Sequence, residues 1–391
     1  MKATVLVLLS ALPLLAQEET VTAEMQGHVT KPKAVEATSE RLKGLTVPEG
    51  FEISTFAKGL DAPRMMAFGP DGSLYVTKRG KSGEVRRLKD ADGDGRAETN
   101  EVVAEIPHVH GIAIRGKTAY LAAIRNLYSV PIRADGTFGE PKVLYGDLPD
   151  AGQHPNRTLE FSPDGELFLS VGSTCNAALE PNPESATLLR VKVDGSAREI
   201  FATGLRNTIG FDWHPETKEL WGMDHGIDWL GDDENREELN KLTKGAQYGW
   251  PFVYEDGKRN PSDNPMDATG LTWEEYAAKS TSPVLTYQAH AAPLDMIFYT
   301  GQQFPEKFRG DAFVTMRGSW NRKKPVGYEL VRVVFDDGRP TRFEPFVHGF
   351  LLPEEVVQFG RPCGLALAPD GSLFLSDDSG GAIYRITYSG E

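Results

Sequence analysis

Three short polar sequences each stand just ahead of an apolar, strand-like run. They are His154-Pro-Asn-Arg157 before Phe161, Gly204-Leu-Arg206-Asn207 before Phe211, and Gly360-Arg361-Pro-Cys363 before Leu367. Equivalent placement aims a histidine, arginines and an asparagine at one axis. A histidine among cations stays neutral and can accept a proton. Arginine presents a planar fork of donors that suits carboxylates. The competing reading is that Arg157, Arg206 and Arg361 only tie neighbouring elements together.

A second pattern is independent of the first. Asp90-Ala-Asp92-Gly-Asp94-Gly-Arg96-Ala-Glu98-Thr-Asn-Glu101 matches the twelve-residue calcium loop. Asp90, Asp92, Asp94 and Glu101 supply oxygen at positions 1, 3, 5 and 12. Glycine falls at 6, and Arg96 at 7, where the pattern uses a main-chain carbonyl. The flanking runs, Glu84 to Leu88 and Glu101 to Ala104, read as strands. The loop therefore predicts a hairpin-borne structural calcium, not a helical EF-hand. The alternative is an acidic turn without metal.

The elements that must position these residues repeat along the chain. Phe68-Gly-Pro-Asp-Gly-Ser-Leu-Tyr-Val76, Phe161-Ser-Pro-Asp-Gly-Glu-Leu-Phe-Leu169 and Leu367-Ala-Pro-Asp-Gly-Ser-Leu-Phe-Leu375 are three clear copies of strand, turn and strand. Proline, aspartate and glycine each favour the turn for a separate reason. Weaker copies lie at 112–121, 211–221 and 296–314. Units of about 45–50 residues suit four-stranded propeller blades. Six such units predict an all-β fold, a six-bladed β-propeller of four-stranded antiparallel blades. An insertion falls at about 228–290. Ala382 to Tyr388 reads as the third strand of the last blade and Phe51 to Ala57 as its fourth, so an N-terminal strand closes the ring and hides its edge. The rival architecture is an open array of β-sandwiches.

Bulk properties agree with one exported domain. Its 391 residues fit a single propeller. A net charge of −14, with scattered Lys and Arg, argues against nucleic-acid or anionic-membrane partners. Forty glycines and 26 prolines mark a turn-rich chain. Lys2 followed by the apolar run from Thr4 to Ala16 reads as a signal peptide over 1–16, too short to span a bilayer. A buried N-terminal helix is the other reading. Residues 17–48 are polar and read as a flexible segment; 49–391 form the propeller. No cysteine follows the apolar run and no later run is long and apolar enough to cross a membrane. The chain is expected in the periplasm or outside the cell without a membrane anchor. Export permits a Cys175–Cys363 disulfide, but two cysteines make no framework.

Ordered motifs extend the reading. His154-Pro-Asn-Arg157-Thr-Leu, Gly204-Leu-Arg-Asn207, Glu238-Leu-Asn240, Tyr248-Gly-Trp-Pro251 and Gly318-Ser-Trp-Asn-Arg322 occur in this order. The set, over about residues 45–389, resembles the soluble quinoprotein glucose dehydrogenase / L-sorbosone dehydrogenase family. That resemblance implies a six-bladed propeller, pyrroloquinoline quinone (PQQ) and calcium. It implies His154 as catalytic base and the pair Arg206 and Asn207 beside the quinone. It further implies active-site calcium on the main-chain carbonyls of Gly226 and Ile227, cofactor contacts from Arg317 and Arg361, and a pocket position for His290. The chain departs from the glucose-oxidising branch at Ser173, where an aspartate orients the catalytic histidine, and at Cys363, where a second arginine stands. Its calcium loop, Asp224 to Asp233, is longer.

The leading expectation is an oxidoreductase that takes hydride from C1 of an aldose or sorbosone-like sugar and passes electrons to an external acceptor, a cytochrome or a quinone. Alternatives are a calcium-dependent propeller lactonase or hydrolase, and a non-catalytic propeller that binds glycans or proteins. Trp221, Trp229, Trp250 and Trp320 could stack on sugars, though packing is the commoner role of each.

Overall fold

The computed structural model of the chain describes residues 25–150, 152–261 and 264–390. The expected signal peptide lies outside them. Local turn chemistry sets the architecture. The carboxylates of Asp71 and Asp370 each accept the N–H and hydroxyl of a serine two residues on, Ser73 and Ser372. Gly72, Gly165 and Gly371 take φ of 78°, 84° and 87°, where a side chain is costly. Each turn reverses the chain between two apolar strands.

Six antiparallel sheets of four strands result. Sheet one is Pro63–Phe68, Leu74–Lys78, Glu84–Lys89 and Thr99–Glu105. Sheet two is Gly111–Arg115, Thr118–Ala122, Leu127–Pro131 and Lys142–Tyr145. Sheet three is Leu159–Phe161, Leu167–Val171, Thr187–Val191 and Arg198–Thr203. Sheet four is Phe211–Trp213, Leu220–Asp224, Glu237–Leu242 and Leu285–Tyr287. Sheet five is Pro293–Phe298, Ala312–Met316, Glu329–Asp336 and Arg339–Val347. Sheet six takes Pro362–Leu367, Leu373–Asp377 and Ala382–Tyr388 from the C-terminal end. Its fourth strand is Phe51–Ala57, with Phe51 opposite Tyr388.

The core lies between sheets. Separate apolar clusters join one to two, two to three, three to four, four to five, five to six, and six back to one. The second strands Leu167–Val171, Ala312–Met316 and Leu373–Asp377 are buried at every position, as expected of strands covered on both faces. The first strands of neighbouring sheets also pack together, with Pro362–Leu367 against Pro63–Phe68 among them.

Two expectations need correction. The insertion at 228–290 is not one loop, because Glu237–Leu242 runs through it as a sheet strand. The extra chain divides into 225–236 and 243–284, the latter carrying a short hairpin and the helices Pro265–Thr269 and Trp273–Lys279. The N-terminal segment, within its described part, is not loose. Lys33–Ala34 pairs in parallel with Val357–Gln358, and Thr46 bridges to His348. Backbone pairing needs no apolar side chains, so polar composition was a poor guide there. Among the described residues no helix is long and apolar enough to cross a membrane.

Candidate functional site

The first strands of the sheets, the loops before them and the loops after the second strands surround a cavity of about 350 Å³. His154, Arg206, Asn207, Gly226, His290, Arg317 and Arg361 all line it. Arg157 does not. It is wholly buried and donates to the carbonyls of Pro149 and His154 at 3.1 and 3.0 Å, so it clamps the turn that presents His154.

His154 has a defined tautomer. Its Nδ1 lies 2.8 Å from Ser173 Oγ and 3.0 Å from Ser173 O. The Ser173 hydroxyl donates to Cys175 O at 2.6 Å, which leaves its oxygen as an acceptor. Both neighbours of Nδ1 accept, so Nδ1 carries the proton and Nε2 keeps its lone pair. Burial, then the Arg206 and His225 side chains, push the ring pKa down to about 2. The His154 ring is therefore neutral. Ser173 orients the ring as a carboxylate would, but adds no charge.

Arg206 and Asn207 are fixed from behind. The Asp224 carboxylate, at the end of a sheet-four strand, accepts both their N–H groups, at 2.9 and 2.8 Å, and the Thr208 hydroxyl. Burial raises the Asp224 pKa to about 6. The Arg206 guanidinium donates to Asp228 Oδ2 at 2.9 Å and to Asn176 O and Oδ1 at 2.9 and 2.8 Å. Asn176 also accepts from Asp228 N, so one asparagine ties the arginine to the loop after Asp224. His225 donates to Pro293 O through Nε2 and faces Asn207 through Nδ1. Burial is the main cause of its pKa falling to about 4.

The opposite wall is cationic. Arg64 and Arg79 join Arg317 and Arg361 on the cavity. Asp378 sits behind and accepts from Arg64 at 2.5 Å and Arg317 at 2.8 Å. Burial opposes ionisation of Asp378, but the arginines outweigh it and hold its carboxyl below the usual range. Arg79 and Arg361 have depressed pKa values, Arg361 at about 10, through burial first and neighbouring arginines second. Five arginines thus face the cavity against the carboxylates of Asp228 and Glu237. That surplus suits a ligand with several carboxylates, and PQQ is one.

The Gly226–Ile227 loop fits a hard cation. A Cβ on Gly226 would stand 2.0 Å from Asn235 O, so only glycine lets the two strands of chain approach. Gly226 N donates to Glu237 and Ile227 N to Asn235 Oδ1. Among the described residues, no hydrogen bond reaches either carbonyl. Main-chain oxygens beside Glu237 and Asp228 are the donor chemistry calcium takes. Burial raises the Glu237 pKa to about 8. Both ring nitrogens of His290 are engaged, Nε2 with Gly231 O at 2.8 Å and Nδ1 with Asn321 at 3.1 Å, so it braces the wall and is not a free base.

The calcium-like loop is assembled differently from its pattern. Ligand atoms of Asp90, Asp92, Asp94 and Glu98 lie within 4.8 Å of one another. Glu101 is instead hydrogen-bonded to Arg87 at 2.8 Å. The twelve-residue pattern assumes a helix after the loop. Here a strand starts at Thr99 and turns Glu101 to its neighbour strand, while Glu98 folds back and also accepts from Ala91 N. Arg96 N donates to Asp94. Cys175 and Cys363 are both free. Of the tryptophans, Trp320 lines the cavity and Trp229 packs edge-on against it; Trp221 and Trp250 are buried.

Sequence reasoning missed Arg64, Arg79, His225, Asp228 and Glu237. A signal existed for Arg64, which precedes Phe68 by the same interval as Arg157 precedes Phe161.

Residues 45–389 match the TrAA12-like family. A pyrroloquinoline quinone-dependent sugar dehydrogenase of Hypocrea jecorina is 25% identical, over 88% of this chain and 89% of that protein. The calcium structure of a Trichoderma reesei family AA12 enzyme is similar in fold at a TM-score of 0.75 and 24% identity, covering 93% of this chain and 98% of that one. The holo PQQ domain of a Coprinopsis cinerea pyranose dehydrogenase follows at 0.72 and 21%, covering 92% and 100%. On a match spanning nearly the whole described chain, the protein belongs to the TrAA12-like family.

Proposed function

We propose that the chain is a PQQ- and calcium-dependent oxidoreductase that oxidises an aldose or sorbosone-like sugar at C1, built on a closed six-bladed propeller whose blades are the six sheets. One observation carries the reading: a neutral His154, whose Nε2 has no hydrogen-bond partner among the described residues, on a cavity that five arginines also line. Arg64, Arg79, Arg317 and Arg361 would hold the cofactor's carboxylates, with Arg206 and Asn207 at its quinone edge and the carbonyls of Gly226 and Ile227 on calcium. When bound, the quinone accepts a hydride equivalent and calcium acts as a Lewis acid. His154 Nε2 takes the C1 hydroxyl proton, and Ser173 keeps the ring in the tautomer that can do so. Arg206, fixed by Asn176 and Asp228, presents positive charge where negative charge develops, without reorganising at that moment. The hydrolase alternative wants several side-chain carboxylates on one metal, and this cavity sets five arginines against two carboxylates.

The electrons leave to an external acceptor, a cytochrome or a quinone. The leader-like residues 1–16 support a periplasmic or secreted enzyme, and the Asp90 loop supports a second, structural calcium.

His154→Ala tests the reading. A general base contributes about 10²–10⁴ in rate, so the variant should lose at least about 10² in kcat while remaining folded and binding PQQ. A folded variant with wild-type turnover would remove His154 from the chemistry.

A further inference from the structure

We infer that residues 25–34 build an outer subsite that binds the carboxylate of an acidic sugar unit, next to the unit being oxidised. The inference rests on the sugar-dehydrogenase reading for its substrate class, but its geometry is separate. A second cavity of about 370 Å³ is lined by Lys31, Pro32, Ser319, Trp320, Tyr328 and Arg361. Trp320 and Arg361 line the first cavity as well, so the two spaces adjoin across them.

The strap that supplies Lys31 is tied down at several points. Gln26 N donates to Trp229 O at 2.8 Å, and Gly231 N donates to Gln26 O at 3.0 Å. Thr30 N donates to Trp320 O at 3.1 Å. Pro32 is buried, and Lys33–Ala34 pairs with Val357–Gln358. These bonds hold Lys31 Nζ 5.6 Å from the centre of the Trp320 ring. The strap also lies outside the family match, which begins at residue 45.

The chemistry of this second space is one-sided. Two cations line it, and no carboxylate does. Lys31 forms no ion pair among the described residues. Arg361 gives Nε to Arg317 O at 3.1 Å and Nη2 to Gly318 O at 2.6 Å. Arg361 also lines the first cavity, where it is assigned to the cofactor, so Lys31 is the cation left for a second anion. Trp320 is half-buried and offers part of a flat apolar ring, which suits the C–H face of a sugar, and Lys31 beside it suits an anion. A neutral sugar unit would use only the aromatic ring; a uronic-acid unit would use both. A disaccharide is the smallest substrate that could occupy both spaces, its reducing unit in the first and its acidic unit in the second.

The test compares glucose, cellobiose and cellobiouronic acid, in which the outer glucose of cellobiose is a glucuronic acid, on protein loaded with PQQ and calcium. The last two differ only in a carboxylate, so length and charge are separated. Wild type should favour the acid over cellobiose in kcat/KM by about fivefold, the upper range for an exposed ion pair. Lys31→Gln should bring that ratio to within about twofold of unity and leave glucose turnover unchanged. Calorimetry of the two disaccharides on the same proteins should show the same ratios in Kd. Equal Kd for acid and neutral disaccharide on wild type, or an undiminished preference in Lys31→Gln, overturns the subsite. Absence of glucose turnover with a preserved affinity difference would break the dehydrogenase reading and leave the subsite standing.

Discussion

Two groups of buried ionisable side chains near the first strands are of opposite type. At the cavity the chain gathers Arg64, Arg79, Arg206, Arg317 and Arg361. A few residues further along the first strands of sheets three, four and five stand Glu160, Asp212 and Asp295. The carboxylates act as staples. Asp212 Oδ2 accepts from Phe298 N of the next sheet at 2.7 Å, and Asp295 Oδ2 from Leu365 N of the sheet after it at 2.7 Å. No cation pairs with them among the described residues. Burial raises all three pKa values, Asp295 to about 7, and Glu160 is raised further by Asp212. The difference is instructive. The acids can shed their charge by taking a proton, and their hydrogen bonds explain their presence without a ligand. The arginines cannot shed theirs, and among the described residues only Asp378 and Asp228 answer them with ion pairs. A surplus of arginine around open space is the mark of an anion site.

The largest expected effect comes from breaking the cationic side. Arg317→Ala removes one charge-assisted contact and should weaken PQQ binding by about 10- to 100-fold, with little change in melting temperature. Unchanged PQQ affinity would reduce Arg317 to a partner of Asp378.

The sequence exposed much of this arrangement. The Pro-Asp-Gly turns and the pairing of Phe51–Ala57 with Ala382–Tyr388 were legible because turn residues and alternating strands act locally or through one register. His154, Arg206, Asn207 and Arg361 were legible from their shared place before a hairpin. Glu237 and Asp228 were not, since their position depends on how a long loop folds back. Glu101 was misassigned because a spacing learned from helices was laid on a strand. The N-terminal strap was hidden because its hold on the sheets is through main-chain bonds.

A smaller effect probes the acidic side. Raised carboxyl pKa values mean that the folded state holds protons more tightly than the unfolded chain. Their contribution to stability is fully present below the unfolded carboxyl range and is lost as pH rises through the folded values. Melting temperature should therefore rise as pH falls from 8 to 6. Glu160→Gln, which keeps the acceptor for Phe161 N, should raise it by roughly 2 °C at pH 8 and flatten the slope. An unaltered pH slope would show that the acids are already neutralised by something else.

The smallest effect lies outside both regions. Asp92→Ala should lower the melting temperature in millimolar calcium by about 1–3 °C and make the variant less sensitive to chelator. Wild-type melting that ignores chelator would leave the loop an acidic turn.

The contrast between the two charge environments depends on the arginine wall being a cofactor site. Titrating the purified protein with PQQ in millimolar calcium, followed by the cofactor's absorption, tests that directly. The account predicts saturable, non-covalent binding of one PQQ per chain, lost with chelator. No binding in millimolar calcium would contradict it.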